Sequence, residues 1–302
     1  METVAIFAPG GYDSDPQRLA QALRYFAARG DRALIRVDIE HSHERFSGTD
    51  AERLGWLHEV AADPSIGIAM ALRGGYGATR LLPHIDFDAL ATAVRRERKR
   101  FVGHSDFTVI GCGLLATSGA VSFAGPMASY DFGGAVNRYT EAQFWRAMHE
   151  AAVDVAFDTP HTGRHRVEGT LWGGNLAMLC SLIGTPWMPA VDGGILFIED
   201  INEQPYRIER MMLQLQQAGV LDRQEMILCG DFSGFRIAPY DNGYGIAEAM
   251  AYVQSTTRVP LVSGLPFGHC PAKATLAMGA VARVEVADGR VRLQQHWDLS
   301  AI

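Results

Sequence analysis

The chain has only four cysteines in 302 residues, Cys112, Cys180, Cys229 and Cys270, and no C-x-x-C pair among them. Three sit in apolar surroundings, so reduced core thiols are expected rather than a disulfide framework or a thiolate metal site. Basic runs are scarce as well. The formal net charge is −7, and the one basic cluster, residues 95–100, has no interleaved aromatics and reads as the solvated end of a helix. That argues against a nucleic-acid partner. Uninterrupted apolar spans are missing too. The charge-free stretches 107–130 and 171–191 are long enough to cross a bilayer by count. The first, however, carries Gly111, Gly113, Gly119, Gly125 and Pro126, and the second Gly173, Gly174, Gly184, Pro186 and Pro189. Such punctuation suits buried helices, strands and turns. The first residues hold an acid, Glu2, and a short apolar run, which is not the pattern of a signal peptide. The expectation is a soluble, cytoplasmic chain with no membrane partner.

What is present is 48% hydrophobic content, enough for a large core in one or two domains. The first 130 residues alternate strand and helix signals. Strands are predicted over 4–8, 33–39, 66–72 and 100–102, and helices over 16–28, 49–62, 78–82 and 87–99. This is the order of an α/β fold with parallel strands and crossover helices on both faces. The polar stretch 151–166, with Pro160 and Gly163, reads as a linker between a domain at 1–150 and another at 167–302. Beyond it, helices are predicted over 171–182, 204–218 and 244–254, and strands over 194–198, 225–229, 260–265 and 281–294. The last of these alternates about Asp288-Gly289, a hairpin signal. No internal repeat or low-complexity segment is present.

Chemistry concentrates at a few turns. Phe101-Val102-Gly103-His104-Ser105-Asp106 ends an apolar run in a tight turn, and an apolar helix follows at once. A turn of that kind lifts a serine hydroxyl off a sheet edge beside unpaired N–H groups. Phe107 stands where G-x-S-x-G has its second glycine, and the plainer alternative is that Ser105 or Asp106 caps the helix. Arg73-Gly74-Gly75-Tyr76-Gly77 follows the third predicted strand. It lacks the G-x-G-x-x-G spacing and any following Gly-Lys-Ser/Thr, so a single N–H aimed at an oxyanion fits it better than a nucleotide cradle.

A serine nucleophile needs a base, and the base an orienting group. Among the ten histidines, His269 lies in a glycine-bracketed loop after an apolar run. His104 adjoins Ser105 and should point elsewhere. His161 and His165 have i,i+4 spacing but no apparent third ligand for zinc. Glu199 and Asp200 end another apolar run; one of Asp200 and Asn202 is expected to cap the next helix, leaving Glu199 for the site.

Arg73-Gly74-Gly75-Tyr76-Gly77, Gly103-His104-Ser105-Asp106-Phe107-Thr108, Gly169-Thr170-Leu171-Trp172-Gly173-Gly174-Asn175-Leu176, Ile198-Glu199-Asp200-Ile201-Asn202-Glu203 and Phe267-Gly268-His269 together resemble the LD-carboxypeptidases, serine peptidases of peptidoglycan recycling. The similarity runs over nearly the whole chain. It implies a flavodoxin-like or Rossmann-like N-terminal domain, a strand-rich C-terminal α/β domain and a site between them. It places the nucleophile on Ser105, the acid on Glu199 and the base on His269, with the oxyanion hole on the backbone N–H groups of Gly75 and Asp106. The implied reaction is hydrolysis of the bond to the terminal D-alanine of a murein tetrapeptide, without cofactor or metal, by a homodimer. A related peptidase acting on a peptide–nucleotide antibiotic is the alternative within the family. A non-catalytic sugar- or nucleotide-binding module is the alternative outside it. The group that grips the terminal carboxylate is left open among Arg73, Arg80, Arg207, Arg236 and other arginines. Cys270, beside His269, is expected to be incidental.

Overall fold

Short runs of β-prone residues between amphipathic segments satisfy their backbone by pairing and, away from the open sheet edge, their side chains by burial on both faces. In the computed structural model, which describes residues 1–38 and 41–298, five such runs pair in parallel. They are β1 (Thr3–Phe7), β2 (Arg32–Arg36), β3 (Ile68–Ala71), β4 (Arg100–Gly103) and β5 (Ser122–Ala124), in the spatial order β2-β1-β3-β4-β5. Helices α1 (Pro16–Ala28), α2 (Asp50–Ala62), α3 (Phe87–Glu97) and α4 (Thr108–Ser118) cover the sheet. Their starts are set by local chemistry. The Asp15 side chain accepts from the Gln17 N–H at α1, and Thr49 and Glu52 form a reciprocal capping box at α2. The short helix expected over 78–82 is instead two 3-10 turns, Ala78–Arg80 and Leu82–His84. The strand expected over 33–39 ends at Arg36, and Ile39 lies outside the described residues.

After α5 (Arg138–Glu150) the chain builds a second, mixed sheet. Its strands are β6 (Ala152–Asp158), β7 (His165–Asn175), β8 (Gly194–Ile201), β9 (Gln224–Ser233) and β10 (Leu261–Ser263), with β12 (Val281–Ala287) and β13 (Arg290–His296). β7 to β10 run parallel in the order β10-β9-β8-β7, and β12, β13 and β6 add antiparallel beyond β7. Helices α6 (Leu176–Leu182), α7 (Pro205–Gln217) and α8 (Ile246–Thr256) belong to this half. The hairpin turns at Asp288 (φ +52°) and Gly289 (φ +75°), as Asp-Gly suggests. The remaining strand, β11 (Leu276–Met278), returns to the first sheet and lies antiparallel against β5.

Two expectations need correction. Residues 171–182 do not form one helix, because 171–175 complete β7 and only Leu176–Leu182 are helical. An apolar run buried on both faces of a parallel sheet cannot be told from a buried helix by periodicity. The close approach of β7 to β8 is what decides it: a Cβ on Gly173 (φ +139°) would lie 1.9 Å from the Phe197 carbonyl oxygen. Nor is the stretch 151–166 all linker. Val153, Val155 and Phe157 alternate inward on β6, an edge strand paired with β13.

One apolar core runs through both halves. The four cysteines are free thiols. Among the described residues no helix is long and apolar enough to cross a membrane.

Candidate active site

The strand order turns back between β1 and β3, and in open α/β sheets ligands settle in the crevice outside the strand ends near such a switch. Two turns leave the sheet there. After β3 comes the glycine segment 74–77, and after β4 the turn at Ser105. Ser105 has φ +61°, a left-handed conformation that a non-glycine residue rarely adopts and that costs about 1–3 kcal/mol. A strained turn of this kind is one way a fold presents a serine hydroxyl. The capping alternative fails, since α4 begins after Phe107 with no side-chain cap at all.

The Asp106 side chain turns back toward the glycine segment. Its Oδ2 accepts from the Ala78 N–H at 2.7 Å with the Gly77 N–H nearby, while Oδ1 is buried with no partner. Burial pushes this carboxyl up to about 7, against the pull of those N–H groups and of Arg53. The two turns are packed so closely that a Cβ on Gly74 would lie 2.8 Å from both Cβ and Oγ of Ser105. Neither the Gly75 nor the Asp106 backbone N–H donates to another group among the described residues. Both expected oxyanion donors are therefore unspent.

The second half supplies the other members. His269 Nδ1 lies 2.8 Å from Glu199 Oε2, with the Glu199 side chain fully buried and that of His269 14% exposed. A carboxylate can only accept, so Nδ1 donates and Nε2 is left as the basic face. Asn175, at the end of β7, donates through Nδ2 to Glu199 Oε1 at 3.2 Å and to Asp200 Oδ1 at 2.9 Å. Asp200 also accepts from the Ala177 N–H at 2.9 Å, so it helps cap α6 and not α7, contrary to the expectation for Asp200 or Asn202; α7 starts after Gln204 with no side-chain cap. Burial raises Asp200 to about 6.

The His269 ring meets the His104 ring edge-to-face at 5.2 Å between centroids, which brings it beside the Ser105 turn. No hydrogen bond joins Ser105 Oγ to His269 here; catalytic bonds of this kind commonly tighten only in the substrate complex. His104 does point elsewhere, with Nδ1 2.9 Å from the Gly125 carbonyl oxygen and Nε2 3.4 Å from Lys273 Nζ. Burial, the Lys273 charge and His269 hold it well below the usual histidine range. A neutral ring with the proton on Nδ1 satisfies both contacts. The sequence reading passed over Asn175, Asp131 and Lys273. Asn175 lies within residues 169–176, one of the segments that carry the family resemblance, whereas the other two carry no local signal.

His161 and His165 approach to 2.9 Å between their Nε2 atoms, far from a set of ligands; among the described residues no group of three or more His, Cys, Asp or Glu is placed to hold a metal. Cys270 donates to the Ala272 carbonyl oxygen, and burial raises its thiol.

Family models described as the N-terminal and C-terminal domains of LD-carboxypeptidase match residues 4–125 and 168–284. A probable murein peptide carboxypeptidase of Bacillus subtilis is 32% identical over 292 residues, 95% of this chain and 90% of its own length. A crystal structure of muramoyltetrapeptide carboxypeptidase from Oxalobacter formigenes is 43% identical with a TM-score of 0.91, covering 98% of this chain and 99% of that one. The microcin C7 self-immunity protein MccF of Escherichia coli is 26% identical over 83% of this chain and 80% of its own.

Proposed function

The chain belongs to the LD-carboxypeptidase family, and from that premise we propose that it is a serine peptidase removing the terminal D-alanine from murein tetrapeptides. The observation that carries the reading is the buried 2.8 Å bond from His269 to Glu199, held beside a serine at φ +61°. His269 Nε2 takes the Ser105 proton as Oγ attacks the scissile carbonyl. Negative charge develops on the carbonyl oxygen, and the Gly75 and Asp106 N–H groups receive it. Glu199 keeps the imidazole oriented and stabilises its cation. His269 then passes the proton to the departing amine of D-alanine, and water hydrolyses the acyl-enzyme by the same relay. No step calls for a cofactor. The family resemblance further supports a cytoplasmic homodimer, which gel filtration of the purified chain checks.

Incubation with a murein tetrapeptide should release free D-alanine. Ser105→Ala should reduce kcat by about 10⁴–10⁶ with the fold intact, His269→Ala by a similar factor, and Glu199→Gln by less. Near-normal turnover by Ser105→Ala overturns the mechanism. Turnover of a peptide–nucleotide conjugate but not of the tetrapeptide overturns the substrate and favours the activity class of the MccF relative. Binding without turnover of either favours a non-catalytic module.

A further inference from the structure

Lys273 and Asp131 form an ion pair of 2.8 Å with side chains only 1% and 5% exposed. Removing two charges from water costs several kcal/mol per ion, so a buried pair is weak evidence for stability. Its placement suggests another use. Asp131 belongs to the nucleophile-bearing half, on the segment after β5, where its Oδ2 accepts from the Met127 N–H at 2.7 Å. Lys273 lies four residues after His269, on the loop that carries the base. Its backbone N–H donates to Thr140 Oγ1 on α5 at 2.9 Å, and that hydroxyl donates to the Pro271 carbonyl oxygen at 2.7 Å. Its ammonium reaches His104 Nε2, one residue before Ser105 and in ring contact with His269.

We propose that Lys273 is a positioning residue that registers the His269 loop against the Ser105 turn, using Thr140 to hold its backbone and Asp131 and His104 to hold its ammonium. This rests on the serine-peptidase reading above. On that side, among the described residues, the loop is otherwise tied only beyond Lys273, where β11 pairs with β5. It contains no regular element between β10 and β11, and the bond to Glu199 fixes His269 only to its own half. Because Ser105 and His269 come from different halves, their distance depends on how those halves are pinned. Lys273 and Thr140 pin them within a few residues of the chemistry.

The pair also belongs to the charged surroundings of His269. The charged and titratable groups around His269 are Glu199 on β8, Asp231 on β9, His104 at the end of β4, and Cys270 and Lys273 on its own loop. Tyr139 lies behind Cys270, and Asp131 behind Lys273. Removing the cation leaves Asp131 as an extra anion and favours a protonated base. Neutralising Asp131 leaves an extra cation and disfavours it. A pair that did not lie against the His269 loop and the Ser105 turn would leave both profiles where they are.

The test measures Lys273→Met and Asp131→Asn by two readouts. The first is the rate at which a fluorophosphonate labels Ser105, which reports alignment of nucleophile and base without any peptide. The second is the pH profile of kcat/KM for the tetrapeptide. Lys273→Met should slow labelling and lower kcat by about 10–100-fold, as misplacement near 1 Å does, with KM little changed. Its acid limb should move to higher pH, and that of Asp131→Asn to lower pH. Wild-type labelling in Lys273→Met, or acid limbs that stay put or move together, overturns the proposal. Should Lys273→Met not fold, the Asp131→Asn profile decides alone, an unmoved limb overturning the role. Rapid wild-type labelling without tetrapeptide turnover would instead sink the substrate assignment and leave the positioning role to be judged on labelling.

Discussion

Asp106 presents its backbone N–H to one side of the nucleophile turn and its carboxyl to the other, where it holds the start of the 3-10 turn that follows the glycine segment. Burial moves that carboxyl from 3.8 to about 7. An acid raised on folding binds its proton more tightly in the native state. Its contribution is therefore complete below about pH 4 and is lost as pH rises through about 7. Asp106→Asn stays neutral and can still accept the Ala78 N–H. Urea unfolding at about pH 5 and pH 8 should show the variant gaining on the wild type at the higher pH, and an equal difference at both would place the titration elsewhere. Arg73 is the second residue whose role the structure narrows. Arg80 is paired with Asp50 and Arg207 with Glu203, whereas Arg73 lies two residues before Gly75 with Nη1 on the Tyr12 carbonyl oxygen at 2.8 Å. With Asp13, Asp15, Arg18, Ser129 and Tyr130 it lines a cavity of about 280 Å³. If Arg73 grips the substrate carboxylate, Arg73→Gln should raise KM roughly 10–100-fold, the loss of one charge-assisted bond, with a smaller effect on kcat. An unchanged KM removes it from the list. Residues of this kind are legible in sequence only when a local pattern announces them. Ser105, Glu199 and His269 each end an apolar run or sit in a glycine-bracketed loop. Asp131 and Lys273 do not, because their partnership is made by tertiary structure alone.

The elements that a sequence reveals best are those closed by their own side chains. The Asp288-Gly289 hairpin formed where the pattern put it, and the helix expected over 49–62 starts at a capping box of Thr49 and Glu52. β7 was hidden because burial on both faces erases the alternation that marks a strand. β6 was hidden because its polar outward residues and the following Pro160 mimic a connector. Close packing between elements leaves a sharper trace in glycine. Gly74 has an ordinary negative-φ backbone, so alanine is tolerated conformationally, yet the added Cβ would meet Ser105 Oγ at 2.8 Å. Gly74→Ala should therefore lower kcat by about 10²-fold through displacement of the nucleophile, while circular dichroism stays that of the wild type. Wild-type kcat in that variant would show that the 74–77 segment and the Ser105 turn are less tightly coupled than their packing indicates.

At the scale of the molecule, the division of labour between the halves bears on stereochemistry. The first sheet offers Ser105 and both proposed oxyanion donors, and the second offers Glu199 and His269. A peptide bound between Ser105 and His269 must satisfy both sets at once. An exopeptidase has to fix the free carboxylate as well as the scissile carbonyl, so three directions at the terminal α-carbon are constrained. Inverting that centre exchanges methyl and hydrogen. The methyl is then driven into a wall, or the carbonyl is drawn off the Gly75 and Asp106 N–H groups. A shift near 1 Å costs roughly 10²-fold in rate, and losing one oxyanion donor costs about 10²–10³. Two tetrapeptides differing only in the terminal stereocentre should therefore differ by at least about 10²-fold in kcat/KM, with D-alanine released faster. Comparable release of L- and D-alanine would mean that the crevice reads the carboxylate and carbonyl without reading the α-carbon, and the substrate assignment would fall even with Ser105 proven as the nucleophile.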